Sequence, residues 1–114
     1  MTEFASRLGS LRRALARRSY DAFYVGCRAN VRYLTGFTGS SGELLVTADG
    51  ATLCTDGRYR TQAAEQTSGI EVAVSTDISP LELMLEQISG ARIRSLGFEA
   101  NRIGYAQHRA LLGA

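Results

Sequence analysis

Apolar side chains recur along the chain at two periods. Phe4, Leu8, Leu11 and Leu15 fall at steps of four, three and four, which draws one stripe along a helix. Thr2 is placed to cap that helix, which runs to about Arg18. Each fully buried member of the stripe is worth about 1.5–3 kcal/mol, so the helix is expected to lie on a sheet. Gly9 inside it costs about 1 kcal/mol relative to alanine. Residues 21–25 form a short apolar run, expected as a central strand. Residues 43–47 and 51–55 are two more strands, joined through Ala48-Asp49-Gly50. Asp-Gly between apolar runs predicts a tight hairpin with positive φ at both turn positions.

Asp56 then caps a helix over residues 58–67, closed by Gly69. Ile70, Val72 and Val74 alternate with Glu71, Ala73 and Ser75, the period-two pattern of a half-exposed strand. Ser79-Pro80-Leu81-Glu82 has the form of a capping box with proline at the first helical position, and opens a helix to about Ile88, stopped by Gly90. Residues 94–99 give a fifth strand and 104–112 a last short helix. The chain then ends on apolar residues, as though cut at a domain edge. This order of elements predicts a single α/β domain over residues 1–114 with a mixed sheet, because an antiparallel hairpin excludes a wholly parallel one.

One stretch is not explained by periodicity. Residues 30–42 mix three glycines, two aromatic rings, an arginine and four hydroxyl side chains between two apolar runs. That length implies a folded-in helix or a functional loop. Asn30 can cap a short helix over residues 31–35, ended by Gly36 in the left-handed conformation, leaving residues 37–42 as a mobile loop that displays Phe37 and the serines.

Composition narrows the function without naming it. The net charge is +2, too small to argue for nucleic acid. All 13 basic residues are arginine, which points to GC-rich coding; Arg12, Arg13, Arg17 and Arg18 close the first helix, where cations suit the macrodipole. No apolar run approaches the ~18 residues of a membrane span. The first residues lack the basic and apolar regions of a secretory signal, and Cys27 and Cys54 have neither metal nor redox spacing, so a cytoplasmic protein with reduced thiols is expected.

Reactive chemistry is thin. Gly36, Gly39 and Gly42 do not have the spacing of a dinucleotide fingerprint, and no lysine follows them as a phosphate loop requires. His108 is the single histidine and reads as a surface residue. Asp49 belongs to a turn and Asp56 to a cap, while Asp21 opens a strand and Glu99 ends one. A two-metal nuclease would need Asp21 and Glu99 to converge with a third carboxylate. Ser40 and Ser41 are nucleophile candidates without a nearby base, and hydroxyls in such loops commonly bond the backbone.

Asn30-Val31-Arg32-Tyr33-Leu34-Thr35-Gly36-Phe37-Thr38-Gly39-Ser40, followed by Thr55-Asp56-Gly57-Arg58-Tyr59 and then Gln62-Ala63, resembles the N-terminal domain of the creatinase/prolidase family. The likeness runs from the first helix through Gly97-Phe98-Glu99. It implies a ribonuclease-H-like fold, a mixed sheet of five or six strands with helices on both faces. The family's Xaa-Pro aminopeptidases and dipeptidases carry two divalent metal ions (Mn, Co or Zn), held by two Asp, one His and two Glu in a C-terminal pita-bread domain that cannot be matched here. The resemblance therefore implies a non-catalytic domain, inactive alone. Its implied partners are its own catalytic domain and a second subunit in a homodimer, and it implies proline-containing peptides as substrates of the parent, with neither nucleic acid nor membrane.

The resemblance also implies roles for single residues. Arg32, Tyr33, Phe37, Ser40 and Ser41 would form a loop near the substrate, offering a cation to a peptide carboxylate and aromatic faces to a proline ring. The other reading of Tyr33 and Phe37 is structural, with both rings packing the short helix onto the sheet. Asn30, Gly36, Gly39, Asp56, Arg58 and Tyr59 would form the structural motif, with Arg58 pairing with Glu99 or Asp21 and Tyr59 filling the core. Gly42-Glu43-Leu44 stands where creatinase proper presents an aromatic residue and an arginine to creatine, which argues against that branch. The alternatives are a standalone interaction or dimerisation module and a ribonuclease-H-like nuclease.

Overall fold

The computed structural model describes residues 3–90 and 93–98. The Thr2 cap, the Glu99 end of the last strand, His108 and the helix expected over 104–112 lie outside the described residues. The order is α1 (Glu3–Arg17), β1 (Ala22–Val25), α2 (Arg28–Thr35), β2 (Gly42–Thr47) and β3 (Ala51–Asp56). A 3-10 turn (Gly57–Tyr59) then leads into α3 (Arg60–Gln66), β4 (Glu71–Ser75), α4 (Pro80–Gly90) and β5 (Leu96–Phe98).

The five strands lie in the order β4-β3-β2-β1-β5. The central three are an antiparallel meander, β4 pairs parallel to β3, and β5 pairs parallel to β1. This is the mixed α/β sheet that the pattern and the resemblance implied. Successive strand residues point to opposite faces and so feed two cores. Val25, Leu44, Val46 and Leu53 meet Leu8 and Leu15 of α1, Val31 and Leu34 of α2, and Ala63 of α3. Ala22, Tyr24, Leu45 and Cys54 meet Met84 and Ile88 of α4 on the other face.

Several local readings need correction. The β2–β3 turn is made by Ala48 and Asp49, one residue earlier than the Asp-Gly pair, since Val46 pairs with Ala51 and the Thr47 N–H donates to the Gly50 carbonyl at 2.9 Å. Neither Asp49 nor Gly50 has positive φ. The Thr47 hydroxyl accepts the Gly50 N–H at 3.1 Å and closes the turn. Residues 58–67 are not one helix: a 3-10 turn precedes α3, and α3 ends at Thr67, two residues before Gly69 takes φ +76°. Ser79 accepts the Glu82 N–H at 3.1 Å, so the α4 cap stands where it was expected. At the end of α1, Ser19 has φ 59° and Tyr20 donates its N–H to the Leu15 carbonyl at 3.0 Å, a left-handed helix stop.

Candidate functional site

The long stretch after β1 crosses one end of the sheet before entering β2. Its helix starts earlier than expected: Cys27 is the N-cap, without a side-chain hydrogen bond, and Asn30 sits inside α2. Gly36 ends it with φ 84°, donating its N–H to the Arg32 carbonyl at 2.8 Å. A side chain at Gly36 would also meet the Phe4 ring about 3.0 Å away, so both conformation and space favour glycine.

Beyond Gly36 the loop is pinned at nearly every residue. The Phe37 N–H donates to the Thr35 hydroxyl at 3.1 Å, and that hydroxyl donates to the Val31 carbonyl at 2.7 Å. The Thr38 N–H donates to Gln66 Oε1 at 2.9 Å, while Gln62 Nε2 donates to Thr38 Oγ1 at 3.0 Å. Arg28 Nη2 reaches the Thr38 carbonyl at 2.9 Å. The Ser40 and Tyr59 hydroxyls are 2.6 Å apart, and the buried Thr55 hydroxyl donates to the Ser41 carbonyl. The loop expected to be mobile is thus tied to α2, α3, β3 and the last residue of the 3-10 turn.

Phe37 takes the inward of its two readings: it is 1% exposed and packs edge-on against Tyr59, not displayed to a substrate. Gly39 and Gly42 make room for it: a Cβ at Gly39 would lie 2.3 Å from Phe37 Cζ, and one at Gly42 3.0 Å from Cε2. Arg32, Tyr33 and Ser40 are exposed. They do not converge. Arg32 and Tyr33 line a concavity of about 500 Å³ between α1 and α2, with Phe4, Arg7 and Thr38. Ser40 and Ser41 line a separate cup of about 140 Å³, with Gly26, Arg28, Gly39 and Glu43.

The second half of the motif is an electrostatic clamp. Asp56 accepts the Arg58 N–H at 3.0 Å as helix cap and takes Arg58 Nε and Nη2 at 3.0 and 2.9 Å. The Arg58 side chain's hydrogen bonds hold the Asp56 carboxyl down to about 2, and Asp56 raises the Arg58 guanidinium in return. Arg58 therefore pairs with its neighbour Asp56 rather than with Asp21, because the capping carboxylate already lies within reach; the expected alternative Glu99 lies outside the described residues. Its guanidinium also stands 5.1 Å from the Tyr59 ring centre, and the hydrogen bond to Ser40 pulls the Tyr59 phenol below its usual range.

Asp21 serves the sheet as well: its carboxylate accepts the Arg94 and Ser95 N–H groups at 2.8 and 3.3 Å, tying the entry to β5 against β1. Among the described residues no group of three or more His, Cys, Asp or Glu could hold a metal ion. Among the described residues Ser40 has a phenol beside it and no base. The arrangement can position and recognise; among the described residues it holds no reactive set. Sequence reading missed Arg7, which donates to the Tyr33 carbonyl at 2.9 Å and lies 4.1 Å from the Tyr33 ring centre. No local pattern links positions 7 and 33. It also missed Gln66, four residues beyond Gln62 of the motif and on the same helix face.

A mixed five-stranded sheet with a glycine-rich crossover pinned over one end defines an α/β domain of the creatinase/prolidase N-terminal type. The chain belongs to the creatinase/prolidase N-terminal domain family, whose model matches residues 7–114. It is 33% identical over 102 residues to the peptidase YqhT of Bacillus subtilis, covering 90% of this chain and 29% of that protein. The chain thus spans less than a third of that curated relative. The crystal structure of the N-terminal domain of the cytoplasmic peptidase PepQ from Mycobacterium tuberculosis is 40% identical, with TM-score 0.86, covering 95% of this chain and 83% of that one. An Xaa-Pro dipeptidase from Bacillus anthracis is 27% identical with TM-score 0.89, covering 97% of this chain and 31% of that one. Among the described residues no helix is long and apolar enough to cross a membrane.

Proposed function

We propose that residues 1–114 are the non-catalytic N-terminal domain of a cytoplasmic, homodimeric Xaa-Pro peptidase, and that the domain shapes substrate access. The supporting observation is the family match over residues 7–114 on a chain that covers only 29% of a peptidase relative. The parent's catalytic domain would carry two divalent metal ions, which when bound supply the hydroxide that attacks the bond before proline. The described residues of this chain offer no donor set for those ions. Their part is positional. The Ser40–Ser41 edge, held by Tyr59 and Thr55, is stiff enough to lean over a neighbouring active site and limit the peptides that enter. Phe37 acts from inside, as the packing that sets the edge's height.

The 114-residue chain, supplied with Mn²⁺ or Co²⁺, is expected to leave Xaa-Pro peptides uncut, while the parent polypeptide cleaves them. Ser40→Trp in the parent should change KM for these peptides more than kcat. Turnover by the 114 residues alone, or a parent without Xaa-Pro activity, would overturn the reading.

A further inference from the structure

Charge is divided between the two faces of the sheet. Helices α1 and α2 together carry six arginines and one glutamate, whereas α4 carries Glu82 and Glu86 and no basic residue. Among the described residues two large apolar side chains stay exposed, Tyr20 at 41% and Tyr33 at 55%. They bracket α1: Tyr33 is held against its first turns by Arg7, and Tyr20 follows the left-handed stop at Ser19. Each has a concavity beside it. One is the space of about 500 Å³ near Tyr33. The other, about 240 Å³, is lined by Leu11, Ala14, Arg18, Tyr20, Phe23 and Phe98. Arg17, Arg18 and Arg32 make no side-chain hydrogen bond or ion pair among the described residues.

We propose that the α1–α2 face is a docking surface for an acidic protein segment, one that carries carboxylates beside apolar side chains. The segment seats apolar groups against Tyr33 and Tyr20, and its carboxylates meet Arg17, Arg18 and Arg32. The 15-residue helix α1 is roughly 22 Å long, and the two anchors lie toward its opposite ends. Tyrosine and arginine are the residue types that most often dominate protein interfaces. A chain of net charge +2 with an acidic opposite face is poorly built to hold a polyphosphate backbone, which favours a protein partner over nucleic acid. This role is separate from the access edge, because Ser40 and Ser41 line a different concavity.

The probe is a synthetic peptide of about fifteen residues in which leucines alternate with pairs of glutamates, labelled for fluorescence anisotropy. Its lysine counterpart, a DNA duplex and phosphatidylserine vesicles are the comparisons. The acidic peptide is expected to bind, and to weaken about tenfold from low to high salt. Arg32→Glu or Arg17→Glu should each weaken it about tenfold, and Tyr33→Ala or Tyr20→Ala about fivefold, with circular dichroism unchanged. Glu82→Gln should leave it as it was. No binding, indifference to the arginine and tyrosine variants, or tighter binding of DNA or vesicles would overturn the proposal. So would salt-sensitive self-association lost in Arg32→Glu, which would give the face to a second copy of the chain.

Discussion

The ring of Phe37 meets the ring of Tyr59 edge-on, with centroids 5.6 Å apart and planes at 88°. This contact joins the two motifs that carry the family resemblance, the glycine-rich crossover and the segment after β3. Tyr59 then turns its hydroxyl to Ser40 at 2.6 Å, so one residue supports the loop from below and from its edge. A loop built this way has its shape set by the core rather than by its own sequence.

Phe37→Ala should therefore cost more than a loop substitution ordinarily does. The side chain is 1% exposed, and removing a buried phenylalanine costs about 3–5 kcal/mol. Urea unfolding should show the midpoint falling with the slope unchanged. Tyr59→Phe keeps the ring contact and loses the bond to Ser40, so its effect should be smaller and local, seen as faster amide exchange at residues 38–41. An Phe37→Ala loss below about 1 kcal/mol would mean that the ring is not part of the core.

Gly39 and Gly50 should respond in opposite ways to alanine. A Cβ at Gly39 would lie 2.3 Å from Phe37 Cζ, and the ring can retreat only into packed surroundings, so about 1–3 kcal/mol is lost. At Gly50 nothing lies within 4 Å and φ is not positive. There alanine should be neutral or stabilise by up to about 1 kcal/mol, through the lower entropy of the unfolded chain. Denaturant midpoints of the two variants test both signs at once.

These sites also show what one sequence discloses. The strand over residues 21–25 was legible as a short apolar run, apolar at every step from Ala22 to Val25 because both faces are covered: Ala22 and Tyr24 enter one core, Phe23 and Val25 the other. Gly36 and Asp56 were legible because positive φ and a helix start each demand a residue type. The inward turn of Phe37 was legible only as one of two readings, since a glycine-rich loop has no period; the pair Gly39 and Gly42, whose missing side chains leave space for a ring, decides between them. Asn30 misled because capping depends on where the chain leaves β1, and that exit places Cys27 at the helix start. The partner of Arg58 was sought at a distance, whereas the capping Asp56 was already two residues away.

Acid should act on the Asp56 clamp within a definite window. Its folded carboxyl titrates at about 2, against 3.8 for the ordinary group, chiefly because Arg58 hydrogen-bonds the ionised form. The unfolded chain therefore takes up the proton first as pH falls. The clamp's contribution is fully present above about pH 4 and is lost as pH falls through about 2. Urea unfolding measured at steps across this window should show stability declining with acid in the parent sequence. Asp56→Asn, which keeps a capping oxygen but never ionises, should remove that part of the slope. An unchanged slope would show that the carboxylate pair does not stabilise the fold.

The two cysteines should separate by kinetics. Cys54 is fully buried in the α4-side core, and burial, helped by the negative charge of Glu43, pushes its thiol up to about 12. Only the thiolate attacks alkylating reagents, so at neutral pH Cys54 is protected both by burial and by protonation. Cys27, half-buried at the start of α2, lies nearer to solvent. Iodoacetamide followed by mass spectrometry should show one modification appearing first, mapped to Cys27. The second should appear at a rate that rises with urea in step with global unfolding, because the strand that holds Cys54 is flanked on both sides. Equal rates at the two thiols in the native protein would mean that β3 opens without the rest of the sheet, and that the core on the α4 side is not closed.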